Sequence, residues 1–265
     1  MSAVLSIDKS RVKRSFASAV GSYDEMAGLQ RKVGMQLLQQ ISAESRCDQI
    51  VDIGCGTGFL TQQLIALPLI EQVFAIDIAL SMVQRTREKL ESSKNIQYIC
   101  ADAEFIPLKN QSVDMIVSNL ALQWCQNLTA VFNGFKNMLK TEGCVLFSSF
   151  GPATLQELKQ AWAKVDNYSH VNDFYSADEI YSFLEQSGYE DIKIVTKDYQ
   201  SSYSSVIGLM RELKGIGAHN ILANRNRNMT RKTDMQSMIS AYEQNRINGM
   251  IPATYQIIFV SARVK

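Results

Sequence analysis

Asp52, Gly54, Gly56 and Gly58 fall within Val51-Asp-Ile-Gly-Cys-Gly-Thr-Gly-Phe-Leu60, directly after a short apolar run. Glycines at alternate positions let a backbone come close to a bound molecule, and their neighbours indicate its chemistry. A dinucleotide loop reads G-x-G-x-x-G, and its third glycine would fall on Phe59. The phosphate-loop pattern G-x-x-x-x-G-K-S/T is absent as well. Asp52, an anion two residues before the first glycine, is a poor neighbour for pyrophosphate and suits a ligand with a positive end. S-adenosyl-L-methionine has such an end in its α-amino group and sulfonium, and its carboxylate can meet the amides of a helix N-terminus.

Three further polar residues close later apolar runs. Asp77 stands 23 residues after Gly54, where a carboxylate can accept hydrogen bonds from two ribose hydroxyls. Asp102 can accept from an adenine amino group while the Ala103 amide donates to the ring, and Asn119 faces the methionine portion. One such aspartate would read as a solvated loop carboxylate; four polar residues at four successive strand ends read as a site.

The elements that must position these residues follow from periodicity. Short runs rich in Val, Ile and Phe predict strands over Gln49–Ile53, Gln72–Ile76, Ile96–Cys100, Ser112–Ser118 and Cys144–Phe150. Apolar residues three and four apart predict helices over Phe59–Leu67, Ser81–Ser92 and Leu128–Lys140, with Ser81 capping the second and Lys140 and Gly143 ending the third. A helix over Ala177–Ser187 and strands over Tyr189–Val195 and Tyr255–Ala262 complete the pattern. Alternating units of this kind predict an α/β fold: a Rossmann-like, mostly parallel seven-stranded sheet with helices on both faces. Ligands of such sheets bind beyond the carboxyl ends of the strands, where the glycines lie.

Two segments break the rhythm. Gly151–Tyr175 is a connection of about twenty-five residues, far longer than usual. The segment 201–252 carries helical patterns of its own over Ser205–Lys214 and Thr233–Asn245, which reads as a cap inserted into one domain spanning 1–265. Composition is that of a globular chain: 46% hydrophobic, 20% charged and a net charge of +1, which opposes whole-surface attraction to nucleic acid or membrane. Five cysteines without a C-x-x-C pair fit reduced thiols, and two histidines are too few for a His-based metal site. Charges at Asp8, Lys9, Arg11, Lys13 and Arg14 leave no apolar signal-peptide core, so a cytoplasmic location is expected.

The order of these motifs resembles the class I methyltransferases, which implies S-adenosyl-L-methionine as cofactor and supports the ligand contacts given above. The family often carries Ser two positions after the ribose acid, where this chain has Ala79. The N/D-P-P-Y/F clamp of amine and amide methyltransferases is missing from Ser118-Asn-Leu-Ala-Leu-Gln-Trp124. That segment, Phe150-Gly-Pro-Ala-Thr-Leu-Gln-Glu-Leu158, His170-Val-Asn-Asp-Phe174 and Met210-Arg-Glu-Leu-Lys-Gly-Ile-Gly-Ala-His219 together resemble the malonyl-acyl-carrier-protein O-methyltransferases of biotin synthesis. The resemblance implies methylation of the free carboxyl of a malonyl thioester, with acyl carrier protein as partner. Lys214 and Arg211 are then candidate cations for that carboxylate and Tyr23 a candidate hydroxyl donor; Lys214, beside Gly215-Ile-Gly217, ranks first. The basic cluster Arg225, Arg227, Arg231 and Lys232 is a candidate surface for the acidic carrier. A small-molecule enzyme of another kind, such as a quinone C-methyltransferase, is the alternative. A non-catalytic adenosylmethionine-binding module is a further reading, and a nicotinamide dehydrogenase is disfavoured by Phe59.

Overall fold

The computed structural model describes residues 7–41, 47–68, 70–218 and 230–265. Three helices come first: α1 (Lys9–Ala19), α2 (Tyr23–Met26) and α3 (Gly28–Leu38). Then follow β1 (Cys47–Ile53), α4 (Phe59–Ile65), β2 (Ile70–Asp77), α5 (Leu80–Lys89), β3 (Ile96–Cys100) and β4 (Val113–Asn119). The second half runs α6 (Leu128–Met138), β5 (Leu139–Phe150), α7 (Gln156–Ala163), α8 (Ala177–Gln186) and β6 (Glu190–Tyr203). It ends with α9 (Val206–Gly215), α10 (Lys232–Glu243) and β7 (Ile251–Arg263).

The strands form one seven-stranded sheet in the order β3-β2-β1-β4-β5-β7-β6, in which only β7 runs antiparallel to its neighbours. Chain order reverses between β1 and β4, so a crevice opens at their carboxyl ends. β1 and β4 are buried along nearly their whole length, as expected of central strands covered on both faces. One face packs beneath α3, α4 and α7, the other beneath α6 and α8. The stripe Leu128, Val131, Phe132, Phe135 and Met138 on α6 shows how helical spacing seats a helix on that sheet. Among the described residues, no helix is long and apolar enough to cross a membrane.

Several boundaries differ from the sequence expectation for identifiable reasons. Lys140 and Gly143 lie in β5 and do not end a helix, because Leu139 turns extended and pairs at once with Val113 of β4. Ser81 does not cap α5. The helix starts after Ala79, whose N–H is taken by the Asp77 carboxylate, and the Ser81 hydroxyl is buried without a partner among the described residues. The cap expected over 201–252 gives up its ends to the long β6–β7 pairing, which runs to Tyr203↔Ile251. Helix α7 shortens the long connection, and α1, α2 and α3 were not foreseen.

Candidate active site

The glycine loop is fixed to the sheet by its own backbone. The Gly54 and Cys55 N–H groups donate to the Ile76 carbonyl of β2 at 2.8 and 3.0 Å. Gly54 sits at φ +72°, and a Cβ there would lie 2.3 Å from the Ala121 Cβ, so only glycine fits between β1 and the segment after β4. Gly58 caps α4 at φ +88°, and its missing Cβ leaves room for Thr86, 2.7 Å away. The three glycines therefore divide their work. Gly54 and Gly56 line a cavity at the strand ends, while Gly58 seats the loop on α5 and is not among its lining residues.

That cavity also collects Asp77, Asp102, Ala103 and Asn119 from the strand ends, and Tyr23 from α2. Asp77 accepts from the Gly56 N–H at 3.0 Å with one oxygen and from the Ala79 N–H at 2.8 Å with the other. Burial nevertheless pushes its carboxyl up from 3.8 to about 6. Each oxygen keeps a lone pair, as a carboxylate receiving two ribose hydroxyls requires. Asp102 is already engaged: the Lys9 ammonium of α1 sits 2.5 Å from Asp102 and 2.8 Å from Glu104. Asn119 donates to the Gln30 carbonyl of α3 at 2.8 Å and accepts from the Ser148 hydroxyl at 2.8 Å, so it also ties the N-terminal helices to the sheet.

Asp52 stands apart from the cavity. It is 1% exposed, accepts from the Thr61 hydroxyl of α4 at 2.6 Å, and its other oxygen has no partner among the described residues. Burial pushes this carboxyl from 3.8 to about 7, the Thr61 bond opposing and nearby Asp77 adding to the rise. The carboxylate expected beside the ligand's positive end thus lies outside the lining of this cavity, bonded to Thr61. Tyr23, expected to hold an acceptor carboxylate, lines this smaller cavity instead. Its ring stands 3.8 Å from where a Gly56 Cβ would be. Burial, with Asp77 and Asp24 adding, holds its phenol well above the ordinary 10, so it remains a proton donor.

A second, larger cavity of about 660 Å³ opens beside α9 and α10 and shares Trp124 with the first. Arg211 and Lys214 of α9 line it, together with an aromatic wall that includes Phe150, Trp162, Phe174 and Tyr255. The end of α9 rests on α2: Ser22 donates to the Gly215 carbonyl at 2.8 Å, and a Gly215 Cβ would strike the Met26 sulfur. Lys214 is therefore anchored next to the helix that carries Tyr23. Of the basic cluster, Arg231 and Lys232 are exposed at the start of α10. Arg225 and Arg227 lie outside the described residues, as does His219.

Sequence reasoning missed Lys9, Val12 and Phe16, which close the smaller cavity from α1. Asp8 before an apolar pair four apart was the available signal, and Asp8 does cap α1 by accepting from the Arg11 N–H. It also assigned no chemistry to His170, which the structure places in the larger cavity.

Residues 51–147 match the family described as "Methyltransferase domain". The chain is 36% identical over 260 residues to a malonyl-[acyl-carrier protein] O-methyltransferase of Gallionella capsiferriformans, covering 96% of this chain and 90% of that one. A protein of the same name from a Methylovorus species is also 36% identical, with 96% and 88% covered. The biotin biosynthesis bifunctional protein BioHC of Cellvibrio japonicus is 37% identical over 96% of this chain, but the chain spans only 50% of its length. Among solved structures, the YcgJ protein of Bacillus subtilis superposes with a TM-score of 0.62 at 16% identity, covering 88% and 97% of the two chains. A Haemonchus contortus phosphoethanolamine N-methyltransferase 2 in complex with S-adenosyl-L-methionine gives 0.60 at 14% identity, covering 94% and 57%. Those structural likenesses share the fold with this chain, and the close sequence relatives go further: the chain belongs to the malonyl-[acyl-carrier protein] O-methyltransferases, S-adenosylmethionine-dependent enzymes on a class I methyltransferase fold.

Proposed function

We propose that this enzyme methylates the free carboxylate of a malonyl thioester, carried on acyl carrier protein or coenzyme A, within biotin synthesis. The observation that supports the reading best is the meeting of two cavities at Trp124, one bounded by the glycine loop and Asp77, the other bearing Lys214 and Arg211. The smaller cavity fits S-adenosylmethionine. Gly56 leaves open the space toward Tyr23, Asp77 retains acceptor capacity for ribose, and Ile53, Ile78 and Ala103 give apolar walls for a base. When bound, the cofactor supplies a methyl group made electrophilic by its sulfonium.

Asp77 holds the ribose, the Ala103 amide and Asp102 face the base, and Asn119 borders the methionine end. Lys9 neutralises Asp102 and closes α1 over the cavity. Lys214, with Arg211, binds the acceptor carboxylate in the larger cavity and turns one oxygen toward the Trp124 junction. That carboxylate has a pKa of about 4 and is already ionised near neutrality, so no general base is required. Alignment of the reacting groups can supply ~7–11 kcal/mol of the barrier. The basic segment containing Arg225, Arg227, Arg231 and Lys232 belongs to the connection that carries Lys214, and its charge suits an acidic carrier.

Incubation of malonyl-carrier protein with enzyme and methyl-labelled cofactor tests the proposal. One methyl group should be added, and mild alkali should release it as an ester does. Absence of incorporation, or a label that resists alkali as a carbon-bound methyl would, refutes it.

A further inference from the structure

The larger cavity contains a fixed imidazole that the methyl transfer itself does not use. His170 Nε2 lies 2.9 and 3.0 Å from the two oxygens of Asp166. Its ring stacks on Trp162 with centroids 3.7 Å apart and planes at 4°. The stacking sets the plane of the ring, and the carboxylate favours the tautomer with the proton on Nε2. With the ring neutral, Nε2–H donates to the carboxylate and Nδ1 is left as a lone-pair acceptor. No group among the described residues bonds Nδ1. His170 lines the larger cavity and not the smaller one.

We propose that His170 Nδ1 accepts a hydrogen bond from an amide N–H of the thioester-bearing arm, making His170 a specificity residue for substrates carried on a pantetheine-type chain. The inference rests on the thioester reading above. A malonyl thioester offers only acceptor atoms, namely its carboxylate, its carbonyl and its sulfur. The first donor that an Nδ1 acceptor can meet along such a substrate is an amide N–H beyond the sulfur. A cavity of about 660 Å³ has room for that arm as well as the three-carbon acyl group. Asp166 is the positioning residue, and Trp162 sets the plane of the ring.

The test compares malonyl-pantetheine, which carries the amides, with the S-ethyl thioester of malonate, which has none. Wild-type turnover is measured first, and failure on both substrates overturns the thioester reading and this one with it. With turnover established, His170→Phe keeps an aromatic ring against Trp162 but removes the nitrogen. The ratio of kcat/KM for malonyl-pantetheine over the ethyl thioester should fall about tenfold, carried by KM, as expected for one lost hydrogen bond. Asp166→Asn, which no longer enforces the tautomer, should lower the ratio in the same direction by less. Calorimetric binding of S-adenosylhomocysteine verifies that both variants are folded. An unchanged ratio in His170→Phe, or a loss confined to kcat, overturns the inference.

Discussion

Replacing Asp52 by Asn should remove a charge that the folded chain accommodates poorly. The carboxyl is 1% exposed and is held up at about 7 by burial. A folded-state pKa above the unfolded one means the folded chain keeps the proton longer. The stability this provides is complete below pH 3.8 and is lost as pH rises through about 7. The gap of about three pH units, at 1.36 kcal/mol each, corresponds to about 4 kcal/mol above pH 7. Asn retains the Thr61 bond through its oxygen but sets an amide N–H where the unpartnered oxygen stood, which costs about 1–3 kcal/mol. The variant should therefore be more stable than wild type at pH 8 by about 1–3 kcal/mol, with the advantage shrinking by about 2–3 kcal/mol on going to pH 5. Asp77, at about 6, titrates in both proteins and largely cancels from the difference. Urea melts of cofactor-free wild type and Asp52→Asn at pH 5 and 8 measure this directly. A stability difference that does not change with pH would refute the argument that ionisation of Asp52 is the cost. Cofactor affinity should fall less in Asp52→Asn than in Asp77→Ala, since Asp77 alone of the two lines the cavity.

Lys214→Ala should lower kcat/KM on a malonyl thioester about 10- to 150-fold, the range for one charge-assisted hydrogen bond, while calorimetric affinity for S-adenosylhomocysteine stays near wild type. Gly54→Ala should cost about 1–3 kcal/mol in a thermal melt and weaken cofactor binding, because its Cβ would meet Ala121 at 2.3 Å on a backbone with φ +72°. Charge reversal at Arg231 and Lys232, extended to Arg225 and Arg227, should slow methylation of the carrier-bound substrate and spare a small thioester; equal loss on both would count against docking there.

The sequence by itself determined the sheet and its functional edge. Gly54, Asp77, Asp102 and Asn119 each follow a strand whose apolar run is local, and a parallel sheet must gather the carboxyl ends of such strands at one rim. It also placed Lys214 and Arg211 on one helix, because helical spacing is a property of a few adjacent turns. Ser81 shows the limit of local reading, since the hydroxyl suited to cap α5 lost that place to Asp77. What only the tertiary structure decided depends on residues distant in the chain. Lys9 neutralises Asp102 across 93 positions, α1 and α2 close the smaller cavity, and α9 rests on α2 through Ser22 and Gly215, 193 apart. It also bonded Asp52 to Thr61 outside the smaller cavity, placed Tyr23 in that cavity and brought His170 into the larger one. The physical reason is common to all of these. Periodicity and capping act within a few residues, whereas the direction in which a side chain finally points is set by helices that arrive from elsewhere in the chain.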